Sequence, residues 1–495
     1  MGSQSQPLHF VMIPLMCPGH IIPMIDMAKL LAQHHVIVTI VITPRNTVRF
    51  GAAINRAIES GLPIRLLQLR FPSAEAGLPE GCESVDELPS YNLNVNFMSA
   101  TRMLQEPVEK FLGETSPAPS CILSDKHVFW TAKTAERFQI PWIIFDGMSC
   151  FTQLCTEMLS ASKVHETVSE SELFVVPGLP DRIEFTRAQL PGLFNPGSIP
   201  SSVNIIREQI RATEVGAYGV VINSFEELEK SYVDEYKKLR RDKVWCVGPL
   251  SLCNKDSLDK AQRGNSATND QDRCLSWLDI QKPGSVIYAC LGSLSSLSRG
   301  QLIELALGLE ASGNPFVWAV RSRSKQEEIE RWIVEDGYEE RIRGRGLLIR
   351  GWAPQVLILS HFAIGGFLTH CGWNSTIEGI CAGVPLITWP LFAEQFFNEK
   401  LVVQVAGTGV SVGSKIAVQL GEEEKAGVNV KRDDVKSAIK CIMSVEEEGE
   451  NRRRNARELA EKAAKAVEDG GSSFLNMTLL VEDIMKQTND QRLRS

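Results

Sequence analysis

The first half of the chain carries short apolar runs at Phe10 to Leu15, Val36 to Ile42, Ile64 to Leu69, Cys121 to Leu123, Trp142 to Phe145 and Val220 to Ile222. Amphipathic stretches such as Met24 to Gln33 and Trp130 to Phe138 separate them. Apolar runs of this length fit strands buried on both faces, and their alternation with helical stretches predicts a parallel sheet covered by helices on each side. A further strand is expected over Val244 to Leu250, ending in Gly248 and Pro249. From Leu252 to Asp272 the chain turns polar, rich in Asn, Ser, Asp, Lys and Gly, and reads as an interdomain linker. The alternation then restarts with strands Val286 to Leu291, Phe316 to Val320, Leu347 to Ile349, Ile364 to Leu368 and Pro385 to Trp389. Helices are expected at Gln301 to Ala311, Ser375 to Ala382 and Glu394 to Val405. The pattern predicts an α/β protein of two doubly wound Rossmann-like domains facing a central cleft. Their expected bounds are 1–250 and 273–475, joined by a linker at 251–272. A C-terminal helix or tail at 476–495 is expected to pack back on the first domain.

Composition narrows the function classes. The 495 residues exceed one domain of about 100 to 200 residues. With 43% hydrophobic and 23% charged residues the chain is of ordinary globular type. The formal charge of −8, with basic residues in short scattered groups such as Arg341, Arg343 and Arg345, offers no phosphate-backbone footprint, so nucleic acid is not an expected partner. Twelve cysteines without a CxxC pair fit a reducing compartment. The N-terminus has no basic region before its apolar run, which Pro14 interrupts, and Gln6 breaks the myristoylation pattern. No apolar stretch reaches the ~18 residues of a membrane span. We therefore expect a cytoplasmic monomer without stable membrane insertion.

The segment from Trp352 to Gln395 holds the densest chemistry. Ile364 to Leu368 feeds Thr369, His370, Cys371 and Gly372 into a helix opening at about Trp373 to Ser375. That places His370, Asn374 and Ser375 at a strand's carboxyl end and a helix N-terminus, where unpaired N–H groups and partial positive charge suit a phosphate and Gly372 lets it approach the backbone. Glu378, one turn on, can accept from ribose hydroxyls. Trp352 offers a flat indole to a base, with Ala353 and Gln355 placed for polar contacts that tell bases apart. Glu394 and Gln395 can hydrogen-bond the hydroxyls of a sugar. Ser293, in the turn after the Val286 strand, is a further candidate for the β-phosphate.

This segment, with its leading Trp-Ala-Pro-Gln, central His-Cys-Gly-Trp-Asn-Ser and terminal Gln, closely resembles the signature box of plant family 1 UDP-glycosyltransferases. The Pro18-Gly19-His20 loop and the polar linker agree with that resemblance. It implies a GT-B architecture, inverting chemistry, UDP-sugar as donor and no cofactor or metal. It puts Trp352 on uracil and has His370, Asn374 and Ser375 hold the diphosphate, with Glu378 at the ribose position; Trp373, within the motif, either touches the ligand or packs behind the phosphate loop. It makes His20 the catalytic base and Asp125, at the end of the Cys121 strand, its partner. The family's sugar-binding pair is usually Asp-Gln; here it is Glu394-Gln395, longer by one methylene. A terminal Gln is associated in the family with glucose. The branch of flavonoid and triterpenoid glucosyltransferases is the most similar across the first domain.

The expected reaction follows. A neutral hydroxyl is a weak nucleophile, so a histidine with a pKa near neutrality takes its proton as it attacks the anomeric carbon. Asp125 fixes the tautomer and steadies the imidazolium, while His370, Ser375 and the helix N-terminus receive the charge on UDP. Neither a DxD motif nor a His/carboxylate cluster calls for a metal. The other histidines considered, His34, His35 and His127, are assigned to helix surfaces. The acceptor pocket is expected from loops at 71–96, 147–155 and 185–199, apolar with few charges, and so suited to a small lipophilic acceptor. O-glucosylation of a phenolic or sapogenin hydroxyl is the preferred reading. C-glycosylation of an electron-rich aromatic carbon and a catalytically silent binding protein are the alternatives. A dehydrogenase is excluded for want of GxGxxG and its acidic partner.

Overall fold

The computed structural model describes residues 7–494 except 196, 198–200, 262, 264–269, 295–296 and 322–324. Seven strands form the first sheet: β1 (His9–Ile13), β2 (Ile37–Ile42), β3 (Ile64–Gln68), β4 (Cys121–Asp125), β5 (Trp142–Asp146), then, beyond a small antiparallel hairpin of β6 (Leu173–Val175) and β7 (Glu184–Thr186), β8 (Gly219–Ile222) and β9 (Val244–Cys246). They run parallel in the order β3-β2-β1-β4-β5-β8-β9. The second sheet holds β10 (Val286–Cys290), β11 (Phe316–Val320), β12 (Gly346–Arg350), β13 (Ile364–Thr369), β14 (Leu386–Thr388) and β15 (Gly409–Ser411), parallel in the order β12-β11-β10-β13-β14-β15. β1, β4, β5, β8, β9, β11, β13 and β14 are buried throughout, which is why they read as largely apolar runs without alternation.

Both sheets reverse direction between a first strand and its neighbour on the other side, β1/β4 in one and β10/β13 in the other. In open α/β sheets ligands bind beyond the carboxyl ends of the strands at this switch point. The architecture therefore provides two crevices, one per sheet.

Several elements differ from the sequence expectation. The first helix begins at Pro18, six residues before Met24, because Pro18 has the fixed φ and missing N–H that suit a helix's first turn. The helix after β14 is α-helical only from Gln395 to Lys400 and continues as a wider π turn over Leu401–Val405. β15 and the β6/β7 hairpin are three residues per strand and escape a periodicity reading. The stretch expected to be a linker holds a short 3-10 turn (Leu250–Cys253), a helix at Ser257–Ala261 and the start of the helix Asp270–Asp279. Its polarity is spent on contacts: Lys29 of the first helix donates to Asn254 and Asp259 at 3.0 Å each, Arg56 pairs with Asp259, and Asn254 donates to Asp26 at 2.8 Å. The last helix runs from Ser472 to Arg494. Asp483 accepts from Lys243 and Tyr218 at 2.7 Å, and Gln491 donates to the Gln139 carbonyl at 2.7 Å, so this helix lies against the first sheet.

Candidate active site

A cavity of about 600 Å³ lies where the carboxyl ends of the two sheets meet, and it is lined from both. All fourteen residues singled out from the sequence line it: His20, Asp125, Ser293, Trp352, Ala353, Gln355, His370, Gly372, Trp373, Asn374, Ser375, Glu378, Glu394 and Gln395.

On the first sheet, β1 and β4 are adjacent and in register up to Ile13 and Ser124, so the loop after β1 meets the last residue of β4. His20 Nδ1–H donates to Asp125 Oδ2 at 2.5 Å. An ionised carboxylate only accepts, so the proton sits on Nδ1 and Nε2 keeps its lone pair. Burial alone would push the imidazole down; the charge and hydrogen bond of Asp125, with the charge of Glu394, outweigh it and hold the His20 pKa above its ordinary value. Burial would likewise raise the Asp125 carboxyl, but the charges and hydrogen bonds of His20 and His127 hold it well below the usual range.

The first helix carries Pro23 inside it, and that proline explains a contact between the sheets. Lacking an N–H, it cannot donate to the carbonyl of Gly19 four residues back. Asn374 Nδ2 donates to that carbonyl instead, at 2.8 Å. The His20 loop is thereby tied to the start of the helix Trp373–Cys381.

On the second sheet, β13 ends at Thr369 and the chain turns through Cys371, at a left-handed φ of 63°, into that helix. Asn398 Nδ2 donates to the Cys371 carbonyl at 2.8 Å and holds the turn. The His370 ring is enclosed by two glycines. A Cβ at Gly292 would lie 2.5 Å from the ring, and one at Gly372 would overlap it. Burial without a charged partner pushes the His370 pKa down to about 4, so its imidazole is neutral at physiological pH. Its Nδ1 is buried without a hydrogen-bond partner among the described residues.

Other side chains of the site have specific partners. Gln355 lines the cavity beside Trp352, and its amide nitrogen donates to Ser375 Oγ at 3.0 Å and Glu378 Oε2 at 2.8 Å. Trp373 is buried, and its Nε1 donates to the Asn223 carbonyl at 2.7 Å, so the indole braces the motif against the first domain from behind. Gln395 Oε1 accepts from the backbone of Leu391 and Phe392 at 2.8 and 3.1 Å, which leaves its amide N–H groups for a ligand hydroxyl. Burial raises the Glu394 carboxyl, in the field of Lys126, His20 and Asp146.

Sequence reasoning missed four side chains. Arg263, within the expected linker, pairs with Asp26 and with Glu378, so the Glu378 carboxylate has a largely enclosed cation beside it. Arg321 lies over the Trp352 ring at 5.1 Å from its centroid. Lys126 donates to Asp146 at 2.9 Å on the cavity wall. His127, assigned to a helix surface, instead lines the cavity and donates from Nδ1 to Asp125 Oδ1 at 2.7 Å. The helix expected from Trp130 starts at Thr131, and His127 lies before it in the turn that follows β4, beside the carboxylate. His34 and His35 lie at the end of the first helix, away from the cavity.

A His/carboxylate cluster, not expected from the sequence, is therefore present: donor atoms of His20, Asp125 and His127 lie within 4.8 Å of one another. Each Asp125 oxygen already accepts from one imidazole, so the trio is satisfied as a hydrogen-bonded set. The acceptor end is also more charged than expected. Loops 71–96 and 147–155 contribute, as do Pro191 to Leu193 of 185–199, whose residues 196, 198 and 199 lie outside the described residues. The helix Ser201–Glu214 adds Arg207, Arg211 and Glu214, and Arg211 pairs with Glu157 at 3.5 Å. Among the described residues no helix is long and apolar enough to cross a membrane.

A histidine–aspartate pair on one sheet facing, across one cavity, a helix N-terminus, a glycine-walled histidine and an indole on the other fits a group-transfer enzyme that takes a nucleotide-activated donor. Comparison with known proteins gives the class its name. The family profile described as "UDP-glucoronosyl and UDP-glucosyl transferase" matches residues 263–440. UDP-glycosyltransferase 73C12 of Barbarea vulgaris is 52% identical over 485 residues, 98% of this chain and 97% of that protein. UDP-glycosyltransferase 73C6 of Arabidopsis thaliana is 51% identical over 487 residues, 98% of both. Among solved structures, UGT73P12 of Glycyrrhiza uralensis, complexed with glycyrrhetinic acid 3-O-monoglucuronide, superposes with a TM-score of 0.89 at 36% identity over 99% of this chain and 97% of that one. The chain belongs to the plant UDP-glycosyltransferases and is an enzyme of the GT-B fold.

Proposed function

We propose that this enzyme transfers glucose from UDP-glucose, with inversion at the anomeric carbon, to a hydroxyl of a small lipophilic plant metabolite, a phenolic such as a flavonoid or a triterpenoid sapogenin. The observation that carries the reading is the His20–Asp125 pair at 2.5 Å, opposite the His370 cradle across one cavity. The hydroxyl proton passes to His20 Nε2 as the oxygen bonds to the anomeric carbon, and the bond from that carbon to the β-phosphate oxygen breaks with its electron pair. Asp125 stabilises the imidazolium. UDP leaves into the donors around Gly372 and His370, with Ser293 and Ser375 beside them. Trp352 stacks on the uracil, Glu378 accepts from the ribose, and Glu394 and Gln395 take the sugar hydroxyls. The terminal Gln395 supports glucose. UGT73P12, with its bound glycyrrhetinic acid 3-O-monoglucuronide, supports an acceptor of that size, and the 73C relatives support the UDP-sugar donor. A base set to take a hydroxyl proton favours an O-glucoside. The enzyme works as a cytoplasmic monomer and needs no metal.

The test is a mass-spectrometric screen of UDP-glucose and other UDP-sugars against flavonoids, triterpenoids and simple phenols, with His20→Ala alongside. A hexoside formed from UDP-glucose, absent with the variant and insensitive to chelator, is the expected result. Product from another UDP-sugar alone reassigns the donor, an acid-stable product makes it a C-glycoside, and loss of rate with chelator overturns the metal-free mechanism.

A further inference from the structure

Asp125 carries two histidines, and the mechanism above uses one. His127 Nδ1–H donates to the carboxylate oxygen His20 does not use, at 2.7 Å, and the His127 backbone N–H donates to the same oxygen at 2.8 Å. Both rings thus have Nδ1 protonated and Nε2 available as an acceptor. The ring centroids are 5.4 Å apart at 88°, both line the cavity, and the two side chains are comparably accessible at 29% and 32%. Their surroundings differ. His20 follows Gly19, which is bonded to the donor-side Asn374. His127 follows Lys126, whose ammonium is engaged by Asp146 on the wall of the first sheet.

A single reacting hydroxyl occupies His20 Nε2 and leaves the Nε2 of His127, a ring that lines the same cavity, without a donor. With the ring centroids 5.4 Å apart, two oxygens about 3 Å from each Nε2 can be carried by neighbouring carbons on one edge of a molecule. We propose that His127 is a specificity-determining residue which accepts a hydrogen bond from a second hydroxyl, on the carbon adjoining the one that reacts. The favoured acceptors are then vicinal diols of the catechol type. No bond is made or broken at His127; the second hydroxyl keeps its proton. The inference rests on the transfer reaction assigned above.

Quercetin and kaempferol differ by one hydroxyl, present in quercetin beside another on its pendant ring, and they serve as the probe pair. Dissociation constants from tryptophan quenching and kcat and KM with UDP-glucose are measured for wild type, His127→Ala and His127→Gln. Wild type is expected to favour quercetin by roughly three- to tenfold in binding and KM, the effect of one hydrogen bond. Alanine should abolish that ratio, and glutamine, which keeps an acceptor oxygen, should restore part of it. Loosening of Asp125 lowers kcat for both flavonols alike, so the ratio isolates the second hydroxyl. An equal loss on both, or no wild-type preference, overturns the assignment to His127. If both flavonols bind but no sugar is transferred from UDP-glucose, the donor or acceptor reading fails, and the ratio of dissociation constants still decides the role of His127.

Discussion

The two switch points of this molecule share a topology and each presents a histidine, yet they set that histidine in opposite states. At β1/β4 the ring is coupled to an ionised carboxylate, and its pKa is held above the ordinary value despite burial. At β10/β13 the ring is walled by Gly292 and Gly372, meets no carboxylate, and is pushed down to about 4. The difference lies in what ends the neighbouring strand: Asp125 closes β4, whereas Gly292 follows β10. A crevice meant to receive a proton needs basicity, which the carboxylate supplies. In the proposed reaction the other crevice holds a diphosphate, which backbone amides at a helix N-terminus attract without a charged histidine. Sequence alone shows a histidine after a strand in both places; only the neighbours across the sheet distinguish a base from an anion-binding group.

The contrast breaks most severely at the charged crevice. His20→Ala should lower turnover by roughly 10²-fold or more, as for a general base, while UDP affinity measured by calorimetry stays within about twofold. Unchanged turnover would remove His20 from the mechanism. Asp125→Asn sharpens the point through pH. The base works unprotonated, so a raised pKa puts the acid limb of kcat/KM above the ordinary imidazole value of 6.5. Without the carboxylate charge, burial prevails and the limb should move to lower pH as the plateau falls. A limb that stays in place would show that another group titrates.

At the neutral crevice the effect falls on binding. In Gly372→Ala the new Cβ overlaps the His370 ring, so the ring or the helix start must shift away from the diphosphate. The expected loss is about 2 to 3 kcal/mol in UDP affinity, the scale of hydrogen bonds to a charged group, with the UDP-saturated fold intact by circular dichroism. Full affinity would mean that close backbone approach at this turn is not used.

How far these crevices are legible from sequence depends on the range of the interactions that build them. The long buried strands are readable because a run of consecutive apolar residues, such as Phe10 to Ile13 in β1 or Phe316 to Val320 in β11, is stable only inside a core. The donor side is readable because its parts follow one another from Trp352 to Gln395 along a strand, turn and helix. What stays hidden joins residues far apart or turns on a local break. Arg263 meets Asp26 across 237 positions, and nothing in a polar stretch marks one arginine as buried. His127 is only two residues from Asp125, but that its ring folds back onto the same carboxylate is set by the turn before the next helix, which periodicity does not show. Pro23 is visible in the sequence; that it frees the Gly19 carbonyl for Asn374 is not.

The weaker tests concern the base-binding end of the second crevice, where the signal is sequential but its support is not. Trp352→Ala should reduce UDP affinity by on the order of 1 to 3 kcal/mol through lost stacking, and leave turnover at saturating donor nearly unchanged. Arg321 should matter less and in a diagnostic way. Its guanidinium lies 5.1 Å from the Trp352 centroid, so one face of the indole is already covered and the other is left to a base. A cation over an aromatic face at a partly exposed site contributes about 0.5 to 1 kcal/mol. Arg321→Ala should therefore weaken UDP by roughly two- to fivefold. In the Trp352→Ala background the same change should do nothing further, because its partner is gone. A full additional loss in the double variant would show that Arg321 meets the nucleotide by its own charge, and the second crevice would then hold its ligand with a cation after all.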